Sequence, residues 1–157
     1  MQESDAAALK SLIQQQPVAA LATLHKGEPA VSMVPFAVMP SGQLVIHVSR
    51  LATHTQDMQI TPAVALLITA HPESAQTPLA LPRVSIQGTV HPCPKDSPDY
   101  ATARSVYLAR FAEAEELFSF TDFSLVMITP TSVRYVAGFG RAMSLTPERF
   151  SAALTTI

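Results

Sequence analysis

The chain has 157 residues, of which 48% are apolar and only 14% charged, with a net charge of −2; this length buries a core without disulfides or structural metal and reads as one domain over residues 1–157. The scattered charges lack the run of like sign that a nucleic-acid or anionic-membrane binder carries, and the single cysteine, Cys93, rules out an intramolecular disulfide and a Cys-rich zinc site. A low charged fraction leaves apolar surface to cover and predicts an oligomer, while the lone cysteine and the absence of an export signal predict a cytoplasmic protein.

In chain order, residues 5–16 place Ala8, Leu9, Leu12 and Ile13 at helical spacing, with Ser4 or Asp5 as N-cap and Pro17 as the stop. Residues 18–49 hold three strand-like runs separated by HKGEP and PSGQ, which reads as a β-meander. A short helix is predicted over 51–60, closed by Pro62, then strands over 63–71 and 82–92 with a Pro-rich surface loop between them. The apolar run near 63–70 is far too short to span a bilayer, which takes about 20 residues. A helix over 97–117 follows, then strands over 123–129 and 132–138 joined at Thr129-Pro130-Thr131, and a final helix with Thr146 as N-cap and Pro147 in its first turn. Six or seven strands, few helices and no βαβ alternation predict a mainly β (α+β) antiparallel barrel with helices outside it.

The segment Ser49-Arg50-Leu51-Ala52-Thr53-His54-Thr55 gathers three hydroxyls, a guanidinium and an imidazole where a strand gives way to a helix. Free N–H groups at a helix start suit a phosphate, and hydroxyls with a cation complete such a cradle; plain N-capping by Ser49 beside a solvated Arg50 explains the spacing equally well. Arg83, Ser85 and Gln87 alternate in PRVSIQG and share one strand face, as a polar pocket wall or as an ordinary solvent row. The two glycines of Gly138-Phe139-Gly140-Arg141-Ala142 permit a turn that presents Arg141 to an anion. Hydrolase, P-loop, zincin and dinucleotide motifs are absent. His91 and Cys93, between prolines, read as incidental rather than as a metal site, and His25, His47 and His71 read as strand-end residues.

Five segments in order, GEPAVSMVPFAV, HVSRLATHTQDMQITPAVALLI, PRVSIQGTV, FTDF and VAGFGRA, resemble the pyridoxamine 5′-phosphate oxidase-like FMN-binding split barrels. Within these they are most similar to the haem-utilisation (HugZ-like) branch, over about residues 6–145. The resemblance implies a six- to seven-stranded split β-barrel homodimer with FMN at the subunit interface. It implies phosphate contacts from Ser49, Thr53, His54 and Thr55, a ring-side strand at Ser32, Met33 and Val34, and flavin contacts from Arg83 and Gln87. Arg141 would meet a flavin phosphate or a haem propionate. The oxidases usually carry Arg-Lys where this chain has His54-Thr55, so the grip on FMN is expected to be weaker and pH-sensitive.

Implied functions are an FMN-dependent oxidoreductase for a small molecule without a side-chain nucleophile, a haem-utilisation protein, or a non-enzymatic flavin binder. Asp122 matches an acid of the haem-utilising relatives, whose axial histidine comes from a C-terminal extension; this chain has no histidine after His91. The signature with which the true oxidases hold pyridoxamine phosphate has no counterpart here beyond GFGRA.

Overall fold

The computed structural model describes residues 1–155. Eight strands form one antiparallel sheet: β1 (Val18–His25), β2 (Glu28–Pro35), β3 (Ala37–Val38), β4 (Leu44–Ser49), β5 (Ala63–Thr69), β6 (Arg83–Pro92), β7 (Phe123–Val136) and β8 (Ala142–Leu145). The order is β2-β1-β5-β6-β7-β4-β3, with β8 also on β7. Phe36, fully buried, is the one residue between β2 and β3, which are the two ends of this order. The two sheet edges therefore meet, and the sheet is curled into the expected antiparallel split barrel.

Side-chain alternation divides the apolar residues between two layers. Leu21, Leu44, Ile46, Leu66, Ile68, Ile86 and Ile128 fill the barrel, closed by the helices α1 (Glu3–Gln15), α2 (Thr53–Ile60) and α4 (Pro147–Thr155). On the outer face Val45, Leu125 and Met127 pack under α3 (Tyr100–Arg110) and the 3₁₀ segment Ala112–Ser119. No described helix is long and apolar enough to cross a membrane.

Four expectations are corrected. The run 18–49 is not a meander, because β4 pairs with β7 across the sheet while β1 and β2 form a hairpin at the other edge, turned by Lys26 and Gly27 at φ 51 and 78°. The helix expected over 97–117 breaks at Phe111, whose extended φ of −130° ends α3. The two strands expected on either side of Pro130 are one strand, β7, and β8 is an additional one. Helix α1 begins at Glu3, so Asp5 lies in its first turn and accepts from the Gln2 N–H at 3.3 Å rather than acting as N-cap. The last helix starts as expected, with the Arg149 N–H on Thr146 Oγ1 at 3.3 Å; residues 156–157 lie outside the described residues.

Candidate functional site

One end of the barrel collects the chemistry. β4 delivers Ser49 there, and α2 starts four residues later with Ala52 as an N-cap that has no side chain to offer its N–H groups. A helix start left open in this way is a polar, electropositive surface. Ser49 is not free to serve it: its hydroxyl donates to Asp122 Oδ2 at 2.7 Å and accepts from the Leu51 N–H at 3.2 Å. The Arg50 N–H donates to the Asp122 carbonyl at 2.8 Å, so Asp122 fixes the cradle loop by both backbone and side chain.

His54 is half-buried, its Nδ1 3.3 Å from Thr55 Oγ1. Burial lowers its pKa, against a smaller upward pull from Asp57. In the ligand-free chain this burial favours the uncharged imidazole. Thr55 is buried and Thr53 exposed. Beneath α2 opens a cavity of about 360 Å³ walled by Val48, Met58, Val90 and Val126, with Thr55 and the exposed Arg50 also lining it. The Arg50 guanidinium has no hydrogen-bond or ion-pair partner among the described residues.

The same end holds two residues that sequence reading missed as a pair. His25, the last residue of β1, has Nδ1 2.7 Å from Oδ1 of the buried Asp57 on α2. They are 32 positions apart, and nothing local links a strand end to the second turn of a helix.

The other predicted contacts lie elsewhere in the chain. Ser49 is opposite Phe123 and Arg83 is opposite Val136, thirteen residues apart along β7 (136 − 123), which at about 3.3 Å per residue is roughly 40 Å of strand. Arg83 donates to the carbonyls of Leu79 and Leu81 at 3.3 and 2.9 Å and so holds its own preceding turn. Arg141 pairs with buried Asp5 at 2.5 Å and braces α1. Within one subunit neither arginine joins the cradle. Gln87 and Ser85 share Arg83's outward face as expected, exposed in mid-sheet. In β2, Met33 points outward, Val34 is core, and Ser32 faces inward with its hydroxyl buried and without a partner among the described residues; one edge of that strand is unpaired.

A curled antiparallel barrel of this strand order, with a polar strand-to-helix turn at one end, is the architecture of a split barrel. The model of the pyridoxamine 5′-phosphate oxidase family matches residues 6–137, and the chain belongs to that family. Within it, the similarities run to the haem-utilisation branch. The chain is 38% identical over 118 residues to the chloroplastic non-canonical heme oxygenase HOZ of Arabidopsis thaliana, covering 75% of this chain and 35% of that protein. It is 26% identical over 142 residues to the heme oxygenase HutZ of Vibrio cholerae, covering 89% and 80%. The structure of a heme-binding protein from Mycobacterium smegmatis superposes with a TM-score of 0.85 at 31% identity, covering 97% of this chain and 62% of that one. The chain thus spans about a third of the chloroplast protein and less than two thirds of the mycobacterial one. These three relatives are named for haem, not for the FMN that the resemblance implied.

Proposed function

We propose that this protein binds haem and works in haem utilisation, at the end of the barrel where α2 begins. The observation that carries the reading is the Ser49–Asp122 pair beside an unpaired Arg50 and an apolar cavity. A phosphate dianion seated on Ser49 would meet the Asp122 carboxylate. A largely apolar macrocycle with carboxylates at its edge needs instead an apolar wall and one guanidinium, and Val48, Met58, Val90 and Arg50 have those properties. Haem would supply redox chemistry at its iron; the chain supplies the wall and the cation. The haem names of the relatives support the same reading.

Titration of the purified protein with haemin is expected to give a saturable Soret band, and Arg50→Ala to weaken binding about tenfold, equivalent to about 1.4 kcal/mol. A protein that shows no Soret change would overturn the reading. The uncapped start of α2 favours a second reading, an FMN-dependent oxidoreductase. Tight FMN binding in a parallel fluorescence titration, with no response to haemin, is the outcome that would establish it.

We also propose a homodimer formed through the outward face of β1, β2 and β5. Met33, Ala20 and Leu67 stand in one cross-strand row, and Val31 and Met33 are 75% and 63% exposed. An apolar row of this kind on a sheet edge marks a contact surface. Met33→Asp is expected to halve the mass measured by light scattering; an unchanged mass would place the interface elsewhere.

A further inference from the structure

A second cavity, of about 480 Å³, opens between α1, β3, α3 and α4 and shares no lining residue with the one beneath α2. Its size falls within the range of small-molecule sites. Val38, Met39, Val106 and Leu154 make its wall aliphatic, and among the described residues no aromatic ring and no carboxylate lines it. Lys10 and Arg110 give the lining its positive charge.

Arg110 is set into this wall half-buried. Its hydrogen bonds to the carbonyls of Ile13, Gln14 and Gln16 all leave from Nη2. Its guanidinium carbon lies 4.7 and 5.7 Å from the ring centroids of Phe36 and Phe111. Among the described residues Nε and Nη1 make no hydrogen bond, and no carboxylate pairs with the group. Neutral carbonyls leave its net charge uncompensated, and burial lowers its pKa.

An uncompensated cation calls for an anion, and an aliphatic wall for a chain. We propose that this cleft binds an aliphatic carboxylate, a fatty-acid-like molecule, with its head on Arg110 and its tail along Val38, Met39, Val106 and Leu154. A carboxylate on Nε or Nη1 forms a charge-assisted hydrogen bond without displacing the carbonyls that Nη2 holds, so the guanidinium keeps its place at the end of α1. Met39, unbranched and flexible, adapts the wall to the tail. A small inorganic anion would leave the wall wet, and a neutral amphiphile would leave the guanidinium unpaired.

The probes are octanoate, octanol and acetate, the last two being the tail without the charge and the charge without the tail. Calorimetric titration of the wild-type protein is expected to show saturable octanoate binding, with octanol and acetate each weaker by about tenfold or more. Octanoate should also raise Tm as its concentration rises. The Arg110 Nε–H resonance, identified by its loss in Arg110→Lys, is expected to move with octanoate and stay in place with octanol. Ala109→Phe, at an exposed position on α3, puts a ring into the cleft and should abolish the octanoate response while leaving the ligand-free Tm unchanged. Octanoate bound no more tightly than octanol would leave an apolar groove without an anion site, and an undiminished response in Ala109→Phe would put the binding elsewhere; either result overturns the assignment. So would a halved mass of Ala109→Phe in light scattering, which would give the cleft to a second copy of the chain.

Discussion

Acidification from about pH 7.5 to about pH 4.5 is expected to cost on the order of 2.5 kcal/mol of folding stability through His47 alone. The imidazole is buried on the outer face of β4, stacked on Phe118 at a 3.9 Å centroid distance and 10° between planes, with Tyr107 edge-on at 5.7 Å. Its Nδ1 is buried with no hydrogen-bond partner among the described residues, and desolvation lowers its pKa from 6.5 to about 4. A folded-state pKa below the unfolded one means that the unfolded chain binds the proton more readily. Stability is therefore complete above pH 6.5, falls as pH drops through the window from 6.5 to 4, and levels below it.

Urea unfolding at the two pH values measures the loss, and His47→Phe keeps a flat ring while removing the titration. The variant's stability difference between the two pH values should shrink by about the amount assigned to His47. An equal loss in both proteins would show that His47 is not the group responsible.

Local chemistry was readable where it alone decides the structure. The Lys26-Gly27 hairpin, the Thr146 cap and the alternation of Arg83, Ser85 and Gln87 each need only neighbouring residues, and each is where the sequence puts it. Pro130 misled because its meaning is set by a partner strand. It lies opposite Gly88 at a register shift, where the ladder tolerates a residue without an N–H. A Cβ on Gly88 would stand 2.8 Å from both Ile128 Cγ2 and the Thr129 carbonyl oxygen, so the close approach at this bulge needs glycine.

The site was legible in part for the same reason. Ser49, Thr53, His54 and Thr55 are contiguous, and the fold keeps them together. The partner that limits what they can bind, Asp122 on Ser49, arrives from 73 positions away, and the neighbouring His25–Asp57 pair spans 32. Asp122 was visible as an acid but not as the group that takes the Ser49 hydroxyl. Arg83 reads as a flavin contact and Arg141 as an anion contact, and a lone arginine in a strand or turn carries no mark of the carbonyls or the carboxylate that engage them within the chain.

Arg110 shows how far such a non-local partner can matter. Helix α1 has no basic residue in its last turn, so its terminal carbonyls need a donor from elsewhere. Arg110, at the end of α3, donates from Nη2 to the carbonyls of Ile13, Gln14 and Gln16 at 2.9, 3.3 and 2.5 Å. Its guanidinium carbon also lies 4.7 Å from the ring centroid of the fully buried Phe36, the residue where the two sheet edges meet. One side chain thus ties together α1, α3 and the barrel seam.

Charged hydrogen bonds contribute about 1.5–3 kcal/mol and a cation over an aromatic ring about 0.5–2, without simple additivity. Arg110→Ala is accordingly expected to cost about 3 kcal/mol and to lower Tm by roughly 6–12 °C in a chain of this size. Arg110→Lys should recover less than half of that, because an ammonium lacks the planar fork that spans several carbonyls while lying against a ring. Thermal unfolding of the two variants beside the wild type decides the matter: a lysine variant as stable as the wild type would reduce the arginine to a point charge, and an alanine variant within about 1 kcal/mol would remove its role as the clasp of α1.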